Sequence, residues 1–368
     1  PIYEKAVADA KAADTPEKRR GVGIAWGGFN VTEGGGDSAE VALELMPGNK
    51  IRKYDTWHAM GQGATTGSLV VTLEALKEMH LTPEDIQLIQ NDTKTCPDTG
   101  MAGASRSLYM DGNATIIAAN KLLAAMRKED GTLRTYDEMK AEGIETKYLG
   151  RYETNTTPGL CRLDPNTGIG DPTPAFTYCL NLAEVEVDTK TGKTTVLKFT
   201  CVDFVGRIGN IDAVNGQAYS GIMHGIGFAL KEDYADVKKH ANMFGAGTSY
   251  IKDVPDDINL IHIDGAISDG PFGSSGASEA FQASGHCAVL NGIYNACGVR
   301  IHEIPALPEK VKAGLDAIAK GEKPYEPKKY FLGSDMYEEL ENIKENPVQV
   351  GTQSFYVSLD DPTAERPF

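Results

Sequence analysis

The sequence predicts an α+β fold made of two related lobes, each a mixed sheet packed with helices. Strand-like runs with alternating apolar residues occur in both halves of the chain, and Gly-rich loops followed by helical runs also occur in both. The order of these elements is similar in the two halves, which indicates an internal duplication. With 368 residues, the chain is long enough for two units of about 100–200 residues.

The predicted boundaries divide the chain into five segments. Residues 1–20 form a charged, helical lead-in, and residues 21–127 form the first lobe. A polar connector with several Gly and Pro residues covers residues 128–174. The second lobe covers residues 175–320, and residues 321–368 form a charged tail interrupted by proline, which we expect to cover a surface or to contact another subunit.

The first lobe begins with two strand-like runs, "GVGIAWGGFNV" and "AEVALELM". The turn-forming sequence "TEGGGD" separates them, so they are predicted to form a hairpin. The run "TGSLVVTLEALKEMH", residues 66–80, has helical periodicity. A short strand, "DIQLIQ", and a second helix over residues 112–127 complete the lobe.

The second lobe repeats this order. The run "FTYCLNLAEVEVDTKTGKTTVLKFTCVDF" alternates apolar positions on both sides of "DTKTGKT", which predicts a β-hairpin. A glycine-punctuated helix start, "GIMHGIGFALKEDY", a strand, "INLIHI", and a helix after Glu279 follow. The last predicted helix begins near Pro308.

Charge and cysteine content disfavour several classes of protein. Asp and Glu outnumber Lys and Arg by 52 to 36, a net charge of −16, which disfavours binding to nucleic acid or to an anionic membrane. The six cysteines form no C-x-x-C pair, so we expect neither an iron–sulfur cluster nor a structural zinc site in this chain. Dispersed thiols and the lack of an apolar run of 18 residues or of a signal-peptide core favour a cytoplasmic location.

Four loops rich in small residues open or precede predicted helices. They are "WHAMGQGATTG" (57–67), "TGMAGASRS" (99–107), "GIMHGIG" (221–227) and "GPFGSSGAS" (270–278). Free N–H groups at a helix N-terminus favour phosphate and other anions, and small side chains let a ligand approach them. A tight turn with an ordinary cap is the simpler explanation of any single loop. Two such loops in each half predict that the lobes face each other around one extended, phosphate-bearing ligand.

Ordered motifs in the chain resemble one known family. The sequences "MGQG", "MAGASRSLYMDGNA", "GIMHGIGFAL" and "GPFGSSGASEAF", followed by "GVRI" and "EIPALPEKV", are similar to the second molybdenum-cofactor-binding domain of the xanthine oxidase family of molybdenum hydroxylases. The resemblance spans residues 21–318 and is strongest to bacterial aldehyde oxidoreductases that carry molybdopterin cytosine dinucleotide. It implies the fold of a molybdenum-cofactor-binding domain.

The resemblance implies a role for each matching residue. It places these residues beside the cofactor: Met60, Gly61, Gln62, Gly63, Gly103, Ala104, Ser105, Arg106, Ser107, Met223, His224, Gly225, Ser275, Gly276, Ala277 and Ser278. It identifies Glu279 as the general base, which removes a proton while water-derived oxygen is added to the substrate. The alternative for Glu279 is an acid that only stabilises its own helix, and for Arg106 a structural ion pair instead of a cofactor phosphate.

Two positions depart from the pattern of the family. Relatives commonly read Gly-x-Gly-Glu where this chain reads "GASE", so Ser278 restricts the backbone if a positive φ is required there. His224 stands where relatives usually carry glutamine and introduces a titratable ring.

The resemblance also implies a function and partners. It predicts oxidation of aldehydes to carboxylic acids, with molybdenum held through the pterin dithiolene and with no metal ligand from this chain. The preceding cofactor domain and the [2Fe-2S] clusters would lie on other domains or subunits, and a homodimer is compatible with this arrangement. The alternatives are hydroxylation of a purine or another N-heterocycle, a cofactor-binding subunit without activity, and an unrelated phosphate-binding module.

Overall fold

The computed structural model describes residues 2–32, 36–154, 170, 173–236 and 238–322. The helices in these residues are α1 (Ile2–Ala12), α2 (Ala64–Ala75), α3 (Arg106–Met126), α4 (Tyr136–Ala141), α5 (Ile211–Leu230), α6 (Ser278–Gln282), α7 (Gly285–Cys297) and α8 (Pro308–Ala319). The strands are β1 (Lys18–Val31), β2 (Ser38–Met46), β3 (Lys50–Asp55), β4 (Ile86–Gln90), β5 (Lys147–Glu153), β6 (Ala175–Asp188), β7 (Thr194–Phe204) and β8 (Asp257–His262). The predicted tail beyond residue 322 and most of the connector after residue 154 lie outside the described residues.

The strands form two four-stranded mixed sheets with the same connectivity. In the first sheet, β2 and β3 form an antiparallel hairpin, β4 lies parallel to β3 after the crossover through α2, and β5 pairs with the free edge of β2. In the second sheet, β6 and β7 form the hairpin, β8 lies parallel to β7 after α5, and β1 pairs with the free edge of β6. The predicted fold class is therefore confirmed, and the strand order supports the predicted duplication.

Strand β1 does not pair with its neighbour in sequence. The predicted hairpin between β1 and β2 is wrong, because β2 pairs with β3 and β1 completes the second sheet. Gly21 and Gly23 of β1 lie against the backbone of α7, and a Cβ on Gly23 would come within 1.9 Å of the carbonyl oxygen of Ala288. The alternating glycines of β1 thus permit contact with a helix more than 250 residues away in sequence, which no local pattern reveals.

Several other predicted elements are confirmed, with changed ends. Helices are found in the lead-in, after Gly63 and from Pro308, and the second hairpin is present. Helix α3 begins at Arg106 instead of residue 112. Strand β5 lies within the residues predicted to be a polar connector.

Each sheet packs its helices around its own core. Leu43, Ile51 and Leu122 are fully buried between the first sheet and α3, and Phe199, Ile222 and Val289 are fully buried between the second sheet, α5 and α7. No helix in the described part of the chain is long and apolar enough to cross a membrane.

Candidate functional site

Four loops follow the carboxyl ends of the parallel strand pairs, β3 with β4 and β7 with β8. They cover residues 56–63, 91–105, 205–210 and 263–277. In open sheets of this kind, ligands bind in the crevice beyond the carboxyl ends of parallel strands. The duplication therefore gives each half one pair of loops at the edge where a ligand is expected.

The two loops within each half are joined by hydrogen bonds. Thr56 and Thr99 each donate a backbone N–H to the hydroxyl of the other at 2.9 Å. In the second half, the backbone N–H of Arg207 donates to the carbonyl oxygen of Gly273 at 2.8 Å. Hydrogen bonds therefore hold the two loops of each pair together.

Glu279 lies where the two halves meet. The backbone N–H of Ser105 donates to Oε1 of Glu279 at 3.2 Å, and the Ser105 hydroxyl donates to Oε2. Ser105 precedes α3 in the N-cap position, with φ 50°, but its side chain makes no capping hydrogen bond. A residue usually used to cap a helix thus binds a carboxylate from the other half.

Gly276 makes this contact between the halves possible. A Cβ on Gly276 would lie 1.8 Å from the carbonyl oxygen of Ser105, closer than any real contact. Only glycine therefore lets the segment before Glu279 reach the loop before α3. Ser105 of one half thus contacts Gly276 and Glu279 of the other, as expected if small-residue loops from both halves converge.

Ser278 forms the first residue of α6 and does not have a positive φ. The departure from glycine at this position therefore causes no backbone strain. The Ser278 hydroxyl donates to Oε1 of Gln217 in α5 at 2.7 Å. Sequence analysis missed Gln217, although its spacing of four residues from Gly221 and eight from Gly225 marks one face of a helix.

Arg106 is a structural residue in this geometry. Its side chain is 2% exposed, and it forms a two-pronged ion pair with Asp37, with Nε–Oδ2 and Nη2–Oδ1 distances of 2.6 and 2.7 Å. Its other N–H groups donate to the carbonyl oxygens of Thr99, Met101 and Ser38. Because a guanidinium has five N–H donors, all of them are used. The structure favours the structural ion pair that was the alternative to a cofactor phosphate.

The side chain of Gln62 forms two hydrogen bonds within the loop before α2. Gln62 donates from Nε2 to the carbonyl oxygen of His58 at 2.7 Å and accepts the Met60 N–H at 2.6 Å. Gly61 and Gly63 have φ values of 100° and 87°, which favour glycine. A Cβ on Gly61 would meet no atom within 4 Å, so the loop presents an open backbone surface.

Residues 221–227 do not form a loop at a helix start, and that prediction is wrong. They lie inside α5, which begins at Ile211 after the Asn210 cap. Gly225 packs against the backbone of Gly285, where a Cβ would come within 3.0 Å, whereas His224 is exposed and Met223 packs on the second core. The loop equivalent to residues 56–63 is therefore 205–210.

A buried charge cluster supports the first pair of loops. The Lys53 Nζ lies 2.6 Å from Oδ1 of Asp111 and 3.3 Å from Oδ2 of Asp55, and all three side chains are fully buried. Asp55 immediately precedes the loop 56–63, and Asp111 lies in α3, just after the loop 91–105. Sequence analysis did not identify this cluster; a charged residue within the apolar stretch around Asp111 was the available signal.

We expect Asp111 to make folding stability depend on pH. Burial raises the pKa of Asp111 from 3.8 to about 6, against the attraction of Lys53. The folded state then binds this proton more tightly than the unfolded state, so the stability from Asp111 is present below about pH 4 and is lost as the pH rises through about 6. Replacement of Asp111 by Asn should remove that loss, so the variant should gain up to about 3 kcal/mol relative to the wild type between pH 4 and 7.

Urea unfolding at several pH values measures this difference. D137N, which removes one exposed carboxylate from α4, is the control for the loss of a surface charge. A constant difference between D111N and the wild type across this pH range would contradict the prediction.

The site fits an anionic ligand held by hydrogen bonds. Helices α2 and α3 begin without a side-chain cap, which leaves N–H groups at their N-termini for an anion. Ser275 is 5% exposed, and its hydroxyl has no hydrogen-bond partner among the described residues. Within the same residues, no cluster of three or more His, Cys, Asp or Glu side chains could hold a metal. Cavities of about 380 and 320 Å³ elsewhere do not include Glu279.

Comparison with known proteins defines the class. A family model described as "Molybdopterin cofactor-binding domain" matches residues 2–255. The chain therefore belongs to the molybdopterin cofactor-binding domains of the xanthine oxidase family. An uncapped pair of helices, an unpartnered Ser275 hydroxyl and open glycine loops suit a cofactor of this kind, which carries phosphate.

Individual relatives give a narrower comparison. The chain is 40% identical over 317 residues to an aldehyde oxidoreductase of Megalodesulfovibrio gigas, a match that covers 86% of this chain and 35% of the relative. The crystal structure of the aldehyde oxidoreductase from Desulfovibrio desulfuricans ATCC 27774 matches with a TM-score of 0.81 and 43% identity, over 85% of this chain and 34% of that one. A probable hypoxanthine oxidase of Escherichia coli K12 is 28% identical over 277 residues, 71% of this chain and 29% of the relative. The chain thus spans about a third of the length of these relatives.

Proposed function

We propose that this chain is the molybdopterin-binding portion of a molybdenum hydroxylase that oxidises aldehydes to carboxylic acids, with Glu279 as the general base. The observation that carries the proposal is the contact of Glu279 with Ser105, because it sets one carboxylate at the junction of the two halves. The 40% identity to an aldehyde oxidoreductase supports aldehydes as the substrate class. The similarity to a probable hypoxanthine oxidase, at 28% identity, supports the alternative of catalysis on a purine.

The bound cofactor, proposed to be molybdopterin cytosine dinucleotide, would supply the oxygen-transfer and two-electron chemistry. The loops 56–63, 91–105 and 263–277 would hold it, through the helix N-termini and the Ser275 hydroxyl. Among the residues predicted from the resemblance, those of these three loops are proposed contacts, whereas Met223, His224 and Gly225 lie in α5 and are weaker candidates. The preceding cofactor domain and the [2Fe-2S] clusters are proposed to lie on other parts of a cytoplasmic enzyme.

Glu279 would accept a proton at one of its carboxylate oxygens as the new C–O bond forms on the substrate carbon. Its carboxylate accepts two hydrogen bonds from Ser105, and its helix is held to α5 through Ser278 and Gln217. These contacts fix the direction of the carboxylate before substrate binds. A positioned base lowers the barrier because the proton acceptor needs no reorganisation during the reaction.

Substrate comparison in the complete enzyme tests the proposal. We expect turnover of an aromatic aldehyde with an artificial electron acceptor to exceed that of xanthine and nicotinate by at least about tenfold in kcat/KM, a difference of about 1.4 kcal/mol in transition-state binding. A preference for xanthine would establish the purine alternative. An intact cofactor that no substrate reduces would instead support a binding subunit without activity.

We expect Ser105→Ala to lower turnover per molecule of bound cofactor. The substitution removes the hydroxyl that binds Oε2 of Glu279, and a hydrogen bond to a charged group contributes about 1.5–3 kcal/mol, or roughly 10–100-fold. Steady-state kinetics and metal analysis of the complete enzyme measure the two quantities. S220A, an exposed serine on α5, is the matched control, and equal kcat in S105A and S220A would contradict the prediction.

A further inference from the structure

Asp55 joins three elements of the first half at the end of β3. Its side chain is fully buried, and Oδ1 accepts a hydrogen bond from Nε2 of Gln90 at 2.8 Å. Oδ2 accepts the hydroxyl of Ser68, the fifth residue of α2, at 2.7 Å. The Gln90 side-chain oxygen in turn accepts the hydroxyl of Thr65 at 3.2 Å. One carboxylate and one amide therefore tie the start of α2 to the ends of two strands.

Asp203 makes the contact in the second half that corresponds to the contact of Asp55 with Gln90, and its other oxygen, Oδ1, has no hydrogen-bond partner among the described residues. Its carboxylate is buried, and Oδ2 lies 2.8 Å from Nδ1 of His262. The other ring nitrogen, Nε2, lies 2.8 Å from the side-chain oxygen of Asn215, the fifth residue of α5. The ring therefore ties the start of α5 to the ends of β7 and β8.

The two sets occupy equivalent positions in the duplicated unit. Asp55 lies opposite Gln90 in the parallel register of β3 and β4, and Asp203 lies opposite His262 in that of β7 and β8. In each set, the partner side chain spans from the carboxylate to a residue in the first two turns of the following helix. Gln90 and His262 occupy equivalent positions although they are different residue types. We therefore attribute the correspondence to a shared role, which is to connect a strand end to the following helix.

We propose that these are two copies of one Asp latch, and that they position α2 and α5 together with the loops 56–63 and 205–210. The first latch consists of Asp55, Gln90, Ser68 and Thr65, and the second of Asp203, His262 and Asn215. A buried carboxylate is costly without hydrogen-bond donors. If the helix start moves away, the carboxylate or its partner side chain loses a hydrogen bond, although Asp55 keeps its ion pair with Lys53.

The second latch acts on the turn that carries Glu279. Asn215 lies two residues before Gln217, which accepts the Ser278 hydroxyl at the start of α6. Near the same end of α5, the side chain of Ala213 lies 3.4 Å from the position of a Cβ on Gly63, in the loop before α2. The residues of the latches are positioning residues, and their effect on Glu279 rests on the proposed function.

Hydrogen–deuterium exchange of the 368-residue chain tests the latches directly. In N215A, we expect protection in residues 211–218 to fall roughly tenfold, the effect of losing about one hydrogen bond, with no change in residues 64–71. In S68A, we expect the reverse. Loss of protection throughout the chain in both variants would show that these residues serve only global stability and would overturn the proposal.

Substitution of His262 by Gln, the residue type at the equivalent position of the first latch, gives a sharper test. The carboxamide of Gln can donate to Asp203 and accept from Asn215 once the Asn215 amide turns so that its Nδ2 donates, so H262Q should keep the protection of α5 within about twofold of the wild type. H262L cannot form either hydrogen bond and should lose that protection by tenfold or more. If H262Q loosens α5 as much as H262L, the two latches are not equivalent and the proposal fails.

Kinetics of the complete enzyme separate the latch from its link to Glu279. N215A should lower kcat several-fold with cofactor content unchanged, because the carboxylate is less often in its reactive position. Altered exchange with unchanged kcat would overturn the link to Glu279 and leave the proposed function standing. Failure of the proposed function itself would appear as turnover that does not depend on Glu279.

Discussion

Replacement of Glu279 by Gln is expected to reduce turnover of the complete enzyme by on the order of 10²–10⁴-fold, with the cofactor still bound. The amide has the shape of the carboxylate but cannot accept a proton, so the base is removed while the space beside the cofactor is kept. Steady-state kinetics give kcat and KM, and metal analysis gives the cofactor content. The loss should fall on kcat, since proton removal belongs to the transition state and not to substrate binding.

Glu309 provides the control for this substitution. It is an exposed acid in the first turn of α8, so E309Q removes only the stabilisation that a negative charge gives a helix N-terminus, about 0.3–1 kcal/mol. Turnover of E309Q should match the wild type. If E279Q also keeps wild-type turnover, Glu279 only stabilises α6, and the general-base assignment must be withdrawn.

The loop before α2 could be predicted because clustered glycines favour turns with positive φ. Gly61 and Gly63 adopt positive φ values in the loop before α2, as their small-residue context suggested. The glycines of residues 221–227 mislead for a physical reason: Gly221 and Gly225 face α6 and α7 inside a helix, where small size permits close packing. Composition alone cannot distinguish a glycine that turns the chain from a glycine that admits a neighbouring helix.

The pairing of strands that are distant in sequence could not be predicted from local sequence patterns. The strand character of β1 was clear from its sequence, but its partner β6 lies about 150 residues further along the chain. The Asp latches and the Lys53 cluster were missed for the same reason, since the members of each latch come from three separate elements and those of the cluster from two. Even so, Asp55 is the last residue of β3 and Asp203 the last but one of β7, each just before a glycine-containing loop, and this shared position was a usable sign of the duplication.

Gly276→Ala is expected to separate the two halves at the site. The added Cβ would lie 1.8 Å from the carbonyl oxygen of Ser105 and 2.6 Å from its carbonyl carbon, and backbone atoms cannot give way as a flexible side chain can. Relief of such overpacking typically costs about 1–3 kcal/mol and displaces backbone. Because the displaced segment leads directly to Glu279, we expect kcat to fall at least about 100-fold, in line with the cost of a misplacement of about 1 Å.

Two other glycines distinguish this effect from general destabilisation. A Cβ on Gly23 would clash as severely, 1.9 Å from the Ala288 carbonyl oxygen, but at the contact of β1 with α7. A Cβ on Gly216, in α5, would meet nothing within 4 Å. We expect G23A to be destabilised like G276A but to keep the wild-type kcat in its folded fraction. We expect G216A to keep both the stability and the kcat of the wild type. Equal kcat per folded molecule in G276A and G23A would mean that the contact of Gly276 with Ser105 holds the fold together without orienting Glu279, because only the G276A clash lies on the segment that leads to that carboxylate.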